Sequence, residues 1–148
     1  MSGQDLLLDR QVCFLVYSLE REIQAAYRPL LSGLGLTYPQ YLAMLALWEM
    51  RSATIGELCS SLGLDTGTLS PLLKRLEAAG LVTRERRPDD ERSVAVSLTQ
   101  KGAALKKKAL PIPRRLASCL FDDEAEYREL KAILETSLGR LRDRAGRD

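Results

Sequence analysis

Residues Thr54 to Gly80 read TIGELCSSLGLDTGTLSPLLKRLEAAG, and this stretch decides the fold. Ile55, Leu58, Cys59 and Leu62 recur at i, i+3, i+4 and i+7, which makes one face of a short helix apolar. Gly63 ends that pattern, and either Asp65 or Thr68 can cap a second helix. Leu69, Leu72, Leu73 and Leu76 then repeat the spacing and leave Thr66, Thr68, Ser70, Lys74 and Arg75 facing outward, until Gly80 stops the second helix. Two amphipathic helices joined by a tight glycine-containing turn form a helix-turn-helix, whose second helix lies in the DNA major groove. Hydroxyls and cations on the outward face are the groups that read phosphates and base edges.

Residues 82–98 complete a winged form of the motif. Val82 opens an alternating run to Arg86, and Val94, Val96 and Leu98 alternate with Ala95 and Ser97, both patterns of half-buried strands. Between them Arg86-Arg87-Pro88-Asp89-Asp90-Glu91-Arg92-Ser93 is too polar for a core. From Arg84 to Arg92 four arginines meet four acids, so charge alone does not separate a DNA-binding wing from a solvated hairpin tip. Position does. Asp90 stands two residues before Arg92 and can orient its guanidinium for insertion into a minor groove, and the hairpin comes directly after a helix-turn-helix. Arg86, Asp90 and Arg92 are the wing candidates for DNA contact.

At 148 residues the chain is expected to be a single domain, mainly α with a small β-hairpin wing. Residues 53–99 form the winged helix-turn-helix; residues 5–35 and 100–145 supply dimerisation helices. The expected order is a long helix over about Asp5–Leu31, a helix over Pro39–Met50, the winged motif, and two C-terminal helices. Thr99 caps the first of these, and Pro111 and Pro113 kink or divide it. Val12, Val16, Leu19, Ile23, Ala26 and Leu30 step by four and three, a heptad-like seam that wants a partner helix. Tyr127, Leu130, Leu134, Leu138 and Leu141 form a second stripe, on a helix over about Asp123–Leu141. One seam at each end points to a homodimer, which would place two recognition helices on half-sites about 34 Å apart.

The net charge of +2 does not argue nucleic-acid binding by itself. Lys101, Lys106, Lys107, Lys108, Arg114 and Arg115 crowd a stretch without acids, a run that reads first as a solvated helix face and second as phosphate contact. No run of 18 apolar residues and no cleavable leader is present, so a cytoplasmic protein with no membrane span is expected. Three cysteines without histidine or a C-x-x-C fit none of the usual zinc patterns, and no metal or cofactor is expected. Cys59 falls on an apolar stripe and reads as core. If Asp5 or Asp9 caps the first helix, Cys13 lies one or two turns inside it, where the positive end of the helix dipole favours a thiolate; core packing stands equally open.

Val12-Cys13-Phe14-Leu15-Val16-Tyr17, Tyr27-Arg28-Pro29-Leu30-Leu31 and Leu36-Thr37-Tyr38-Pro39-Gln40-Tyr41-Leu42-Ala43 resemble the organic hydroperoxide sensors of the MarR family, the OhrR branch. So do Asp65 to Glu77 and Asp89-Asp90-Glu91-Arg92-Ser93-Val94. The wing pattern is common to the family at large, whereas the N-terminal cysteine with two spaced tyrosines is particular to the peroxide-sensing branch. The resemblance implies that Cys13 is the reactive thiol and that Tyr27 and Tyr38 of the partner subunit donate hydrogen bonds to it. Helix geometry agrees: Cys13 and Tyr27 are 14 positions apart, about 21 Å along one straight helix, so the contact has to be made in trans. Interfacial packing with solvated hydroxyls is the competing reading of the two tyrosines. Some members of the family carry a second, resolving cysteine near the C-terminal helices, a role the resemblance implies for Cys119.

The expected function is therefore a homodimeric, redox-sensing repressor that holds an inverted-repeat operator when reduced and releases it when an organic hydroperoxide oxidises Cys13. The competing reading is a MarR-type repressor with a small aromatic ligand in the dimer cleft and Cys13 as pocket lining. A thiol peroxidase comes third, since it needs a peroxide-activating cation and Arg10 and Arg21 are too generic to supply that argument. An enzyme is not expected.

Overall fold

The computed structural model describes residues 3–86 and 93–146, and the chain divides into two compact units, Met1–Leu110 and Pro111–Asp148. The first unit holds α1 (Val12–Ser32), α2 (Tyr38–Met50), β1 (Ser52–Thr54), α3 (Ile55–Leu62), α4 (Thr66–Ala78), β2 (Val82–Glu85), β3 (Ala95–Leu98) and α5 (Gln100–Ala109). The second holds α6 (Ile112–Leu120) and α7 (Glu124–Ala145).

The core of the first unit is built on α2, which is apolar nearly all round and buries Tyr41, Ala43, Met44, Ala46, Leu47 and Trp48. Thr37 starts it with a reciprocal capping box: its hydroxyl accepts from the Gln40 N–H while the Gln40 side chain accepts from the Thr37 N–H. Against α2 pack Ile55 and Leu58 of α3 and Leu69, Leu73 and Leu76 of α4, all nearly sealed from solvent. Truncating one of these leucines to alanine would cost about 2–5 kcal/mol. Thr54 and Glu57 form a second capping box at the start of α3. Its end falls at Gly63, whose φ of 64° is a left-handed conformation costly to residues with a β-carbon.

The sheet has three antiparallel strands in the order β1-β3-β2. Ser52 pairs with Ser97 and Thr54 with Ala95 on one side of β3; Val82 pairs with Leu98 and Glu85 with Ala95 on the other. The hairpin strands lie where their alternation put them, within a residue. β1 had no sequence signal, because three residues are too short to alternate.

One expectation needs correction. The first helix does not begin near Asp5. Residues Gly3–Leu6 and Leu8–Arg10 form single 3-10 turns, Gln11 is extended, and α1 starts at Val12. The Gln11 side chain donates to the carbonyls of Asp5 (2.6 Å) and Leu7 (3.1 Å), which supports the break, and no side chain caps α1. In the C-terminal region Pro111 divides the first expected helix into α5 and α6, the second of the two outcomes expected of Pro111 and Pro113.

In the second unit, Asp123 caps α7 by accepting from the Glu126 N–H at 2.9 Å. The Phe121 and Tyr127 rings meet edge to face at 5.4 Å. None of the described residues of α7 is buried, and Tyr127, Ile133, Leu138 and Leu141 are exposed. Leu31 is the one buried residue of α1; Val12, Phe14, Leu15, Val16 and Tyr17 are exposed, while Leu19, Ile23, Ala26 and Leu30 are half-buried.

Candidate nucleic-acid interface and thiol site

Between the two possible caps for α4, the structure selects Asp65, whose carboxylate accepts from the Thr68 N–H at 2.7 Å. At about 100° per residue, the leucine stripe at 69, 72, 73 and 76 turns Thr68, Lys74 and Arg75 to solvent, and all three are exposed. Ser70 is not. It lies next to Leu73 at the margin of the buried stripe and is 7% exposed, so its expected outward placement is wrong. Thr66, on the same margin, is half-buried, with its hydroxyl oxygen 3.9 Å from the Cys59 sulfur. The sequence reading missed Pro71, which sits on the exposed face between Thr68 and Lys74. The signal was available, since a proline within a leucine-periodic helix falls opposite the leucines.

Arg86, at the end of β2, is exposed. Asp90 and Arg92 lie outside the described residues. What positions the wing base is Arg84, also not singled out from sequence. Its guanidinium pairs with Glu77 of α4 at 2.9 Å and links β2 to the recognition helix. The pair is partly exposed, so it is worth at most about 1 kcal/mol and acts chiefly on geometry. The α4–β2 turn is held from α5: the Thr99 hydroxyl donates to the Gly80 carbonyl (2.6 Å) and Lys101 to the Ala79 carbonyl (2.9 Å). Lys101 and Lys106 thus already engage carbonyls of the first unit, while Lys107, Lys108, Arg114 and Arg115 are exposed.

Cys13 is exposed and is the second residue of α1, closer to the positive end of the helix than a start at Asp5 would place it. Tyr17 stands one turn further on the same face, exposed, with the Arg21 guanidinium 5.7 Å from its ring centre. Tyr27 belongs to the same continuous helix, about 21 Å from Cys13 by helix rise. Its ring stacks on Tyr38 of α2 at 4.6 Å and tilts against buried Tyr41 at 5.5 Å. Burial raises the Tyr38 phenol above its ordinary value, and the charge of Glu20 pushes the same way. Tyr38 is therefore a protonated donor at neutral pH.

Cys59 is buried at 6% exposure, as its apolar stripe required. Cys119 is exposed on α6, with its thiol directed to the Arg115 carbonyl at 3.3 Å. Among the described residues no group of histidine, cysteine, aspartate or glutamate could hold a metal ion. No described helix is long and apolar enough to cross a membrane.

Residues 36–94 match the MarR family model. The organic hydroperoxide resistance transcriptional regulator of Bacillus subtilis is 47% identical over 90% of this chain and 91% of its own length. Among solved structures, reduced AbfR bound to DNA superposes with a TM-score of 0.81 at 34% identity, covering 97% of this chain and 98% of that one. AbfR is a Staphylococcus epidermidis protein. Its disulfide-formed structure gives a TM-score of 0.62 at 34% identity, covering 95% and 93% of the two chains, and an overoxidized form bound to DNA also matches. The relatives are named as transcriptional regulators, not enzymes, and their similarity extends over nearly the whole length: this chain belongs to the MarR family.

Proposed function

We propose that this chain is a homodimeric repressor that binds an inverted-repeat operator when Cys13 is reduced and releases it when an organic hydroperoxide oxidises Cys13. The observation that carries the reading is the separation of thiol and phenols. Cys13 is exposed at the start of α1, whereas Tyr27, 14 residues further along the same helix, is stacked on Tyr38. A thiolate held by those phenols needs the other copy's tyrosines. The exposed apolar residues of α1 and of α7 are the surfaces such a copy would cover, because isolated apolar stripes of this length are rarely left in water. The chain then works as one MarR-type module, with residues 53–99 on DNA and residues 5–35 and 100–145 at the dimer contact.

The chemistry balances without a cofactor. The Cys13 thiolate attacks the distal peroxide oxygen, the O–O bond breaks, and the alkoxide takes a proton to leave as an alcohol; the cysteine becomes a sulfenic acid. The Cys119 thiol, if it reaches this sulfur across the dimer, displaces water and forms a disulfide. A sulfenic acid or disulfide carries no thiolate charge for the phenols to stabilise. Oxidation therefore favours a dimer geometry in which the two recognition helices no longer match their half-sites. AbfR has been solved on DNA when reduced and when overoxidized, and also in a disulfide form. On DNA, Thr68, Lys74 and Arg75 would face the major groove with Thr66 and Ser70 at its edge, and Arg86, Asp90 and Arg92 the minor groove.

The test is operator binding by reduced and cumene hydroperoxide-treated protein, for wild type and Cys13→Ser. Wild type releases DNA on treatment and Cys13→Ser stays bound. Equal release by both would end the redox reading and favour a ligand-gated regulator.

A further inference from the structure

Cys13, Glu20 and Tyr27 stand seven residues apart on one unbroken helix, α1. An α-helix returns to within about 20° of the same direction every seven residues, so the three side chains leave one face, with Glu20 midway in height and in direction. At about 100° per residue, Val16 and Ile23 flank this line on one side and Tyr17 and Gln24 on the other. The Gln24 side chain donates to the Glu20 carboxylate and holds it along the face. Glu20 is exposed and joins no ion pair among the described residues. The neighbouring Arg21 guanidinium lies over the Tyr17 ring instead.

The function proposed above sets Cys13 against the partner's Tyr27, and the present inference rests on that reading. A two-fold axis exchanges the copies, so Tyr27 in turn meets the partner's Cys13. The same axis carries the midpoint of one 13–27 stretch onto the midpoint of the other. The two midpoints are therefore no farther apart than Cys13 is from the partner's Tyr27. Residue 20 is that midpoint. In this register Val16 meets the partner's Ile23 on the apolar flank, and Tyr17 meets the partner's Gln24 on the polar one. Only at the centre does a residue meet its own copy.

We propose that Glu20 faces the partner's Glu20 across the two-fold axis, a like-charge pair that opposes the operator-binding geometry of the dimer. In the reduced protein the thiolate–phenol hydrogen bonds and the apolar flank hold the copies together against it. Oxidation removes those hydrogen bonds and leaves the repulsion, so the pair biases the dimer toward the releasing geometry. Like charges set against each other in an interface are costly, because water and salt screen them poorly there. The charge of Glu20 also reaches Tyr38, one of the two phenols, and helps keep it protonated.

Glu20→Gln removes the charge and keeps the shape. The reduced dimer of this variant should dissociate with a constant about tenfold lower than wild type at low salt, the difference shrinking as salt is added. After hydroperoxide treatment it should retain more operator than treated wild type. Chains carrying Glu20→Lys, mixed with wild type, should form heterodimers above the statistical share, since opposite charges then meet at the axis. A short bismaleimide reads the geometry directly. It should join two copies of Glu20→Cys in a Cys13→Ser, Cys119→Ser background, and two copies of Tyr27→Cys in a Cys119→Ser background through Cys13. Crosslinking of Tyr27→Cys without crosslinking of Glu20→Cys overturns the inference and leaves the trans reading standing; failure of both ends both. Wild-type dissociation of Glu20→Gln together with statistical pairing of the Glu20→Lys chains also overturns it.

Discussion

The rings of Tyr27 and Tyr38 stack with their centres 4.6 Å apart and 28° between their planes, although one comes from α1 and the other from α2. This contact gathers two phenols at one place while the helix that carries Tyr27 holds Cys13 at its far end. A stacked pair of this kind buries its ring faces against each other.

Tyr27→Phe and Tyr38→Phe keep the rings and remove one donor each. Either change should slow oxidation of Cys13 by organic hydroperoxide about tenfold, the value of one hydrogen bond to a charged group, and should slow its alkylation at neutral pH. Rates of both reactions matching wild type would reduce the tyrosines to packing residues.

The same burial makes a prediction at high pH. Tyr38 and Tyr41 are both raised by desolvation, with Glu20 adding to the first and Tyr38 to the second. A raised phenol binds its proton more tightly folded than unfolded, so below about pH 10 these groups give stability no pH dependence. Above it the unfolded chain loses protons first, and stability falls as pH rises toward the folded values. In an ultraviolet phenolate titration, Tyr38 and Tyr41 should ionise late in the native protein and normally in denaturant. Melting points that do not fall above about pH 10 would contradict the burial.

On DNA, Lys74→Ala and Arg92→Ala should each weaken operator binding and flatten the dependence of log K on log salt by about one unit, as loss of one phosphate contact does. Thr68→Ala should weaken binding with little change in slope. Ser70→Ala is the contrast: Ser70 is buried, so its substitution should change melting temperature more than salt slope. A wild-type slope in Arg92→Ala would leave the hairpin as a turn without DNA contact.

Two glycines in helices should respond oppositely to alanine. A β-carbon on Gly102 would lie 2.0 Å from the Leu81 carbonyl oxygen, so α5 must move away from the α4–β2 turn and strain the Trp48–Gly102 hydrogen bond. Gly102→Ala should destabilise by several kcal/mol, in the range of severe core defects. Gly139 has nothing within 4 Å of a β-carbon and lies inside α7, so Gly139→Ala should stabilise by about 0.5–1 kcal/mol. Thermal melts of the two variants decide both.

Cys119→Ser should still sense peroxide through Cys13, but its oxidised form should lack an intersubunit crosslink on non-reducing gels and recover DNA binding poorly with reductant. A variant that crosslinks and recovers like wild type would make Cys119 a surface residue without a redox role.

By itself the sequence determined the winged helix-turn-helix, because leucine spacing at 69, 72, 73 and 76, glycines at 63 and 80 and alternation at 94, 96 and 98 are local signals with local causes. It determined the family as well, through motifs that need no coordinates. Tertiary structure decided what local pattern leaves open. β1 exists because β3 is there to pair with it, not because Ser52–Thr54 favour a strand. Ser70 is buried because neighbours cover a short side chain at the margin of the stripe. Gln11, by reaching back to two carbonyls, ends the N-terminal turns and moves the start of α1 to within one residue of Cys13. The stacking of Tyr27 on Tyr38 arises from two successive helices folding back on each other in space, a relationship that no periodicity encodes.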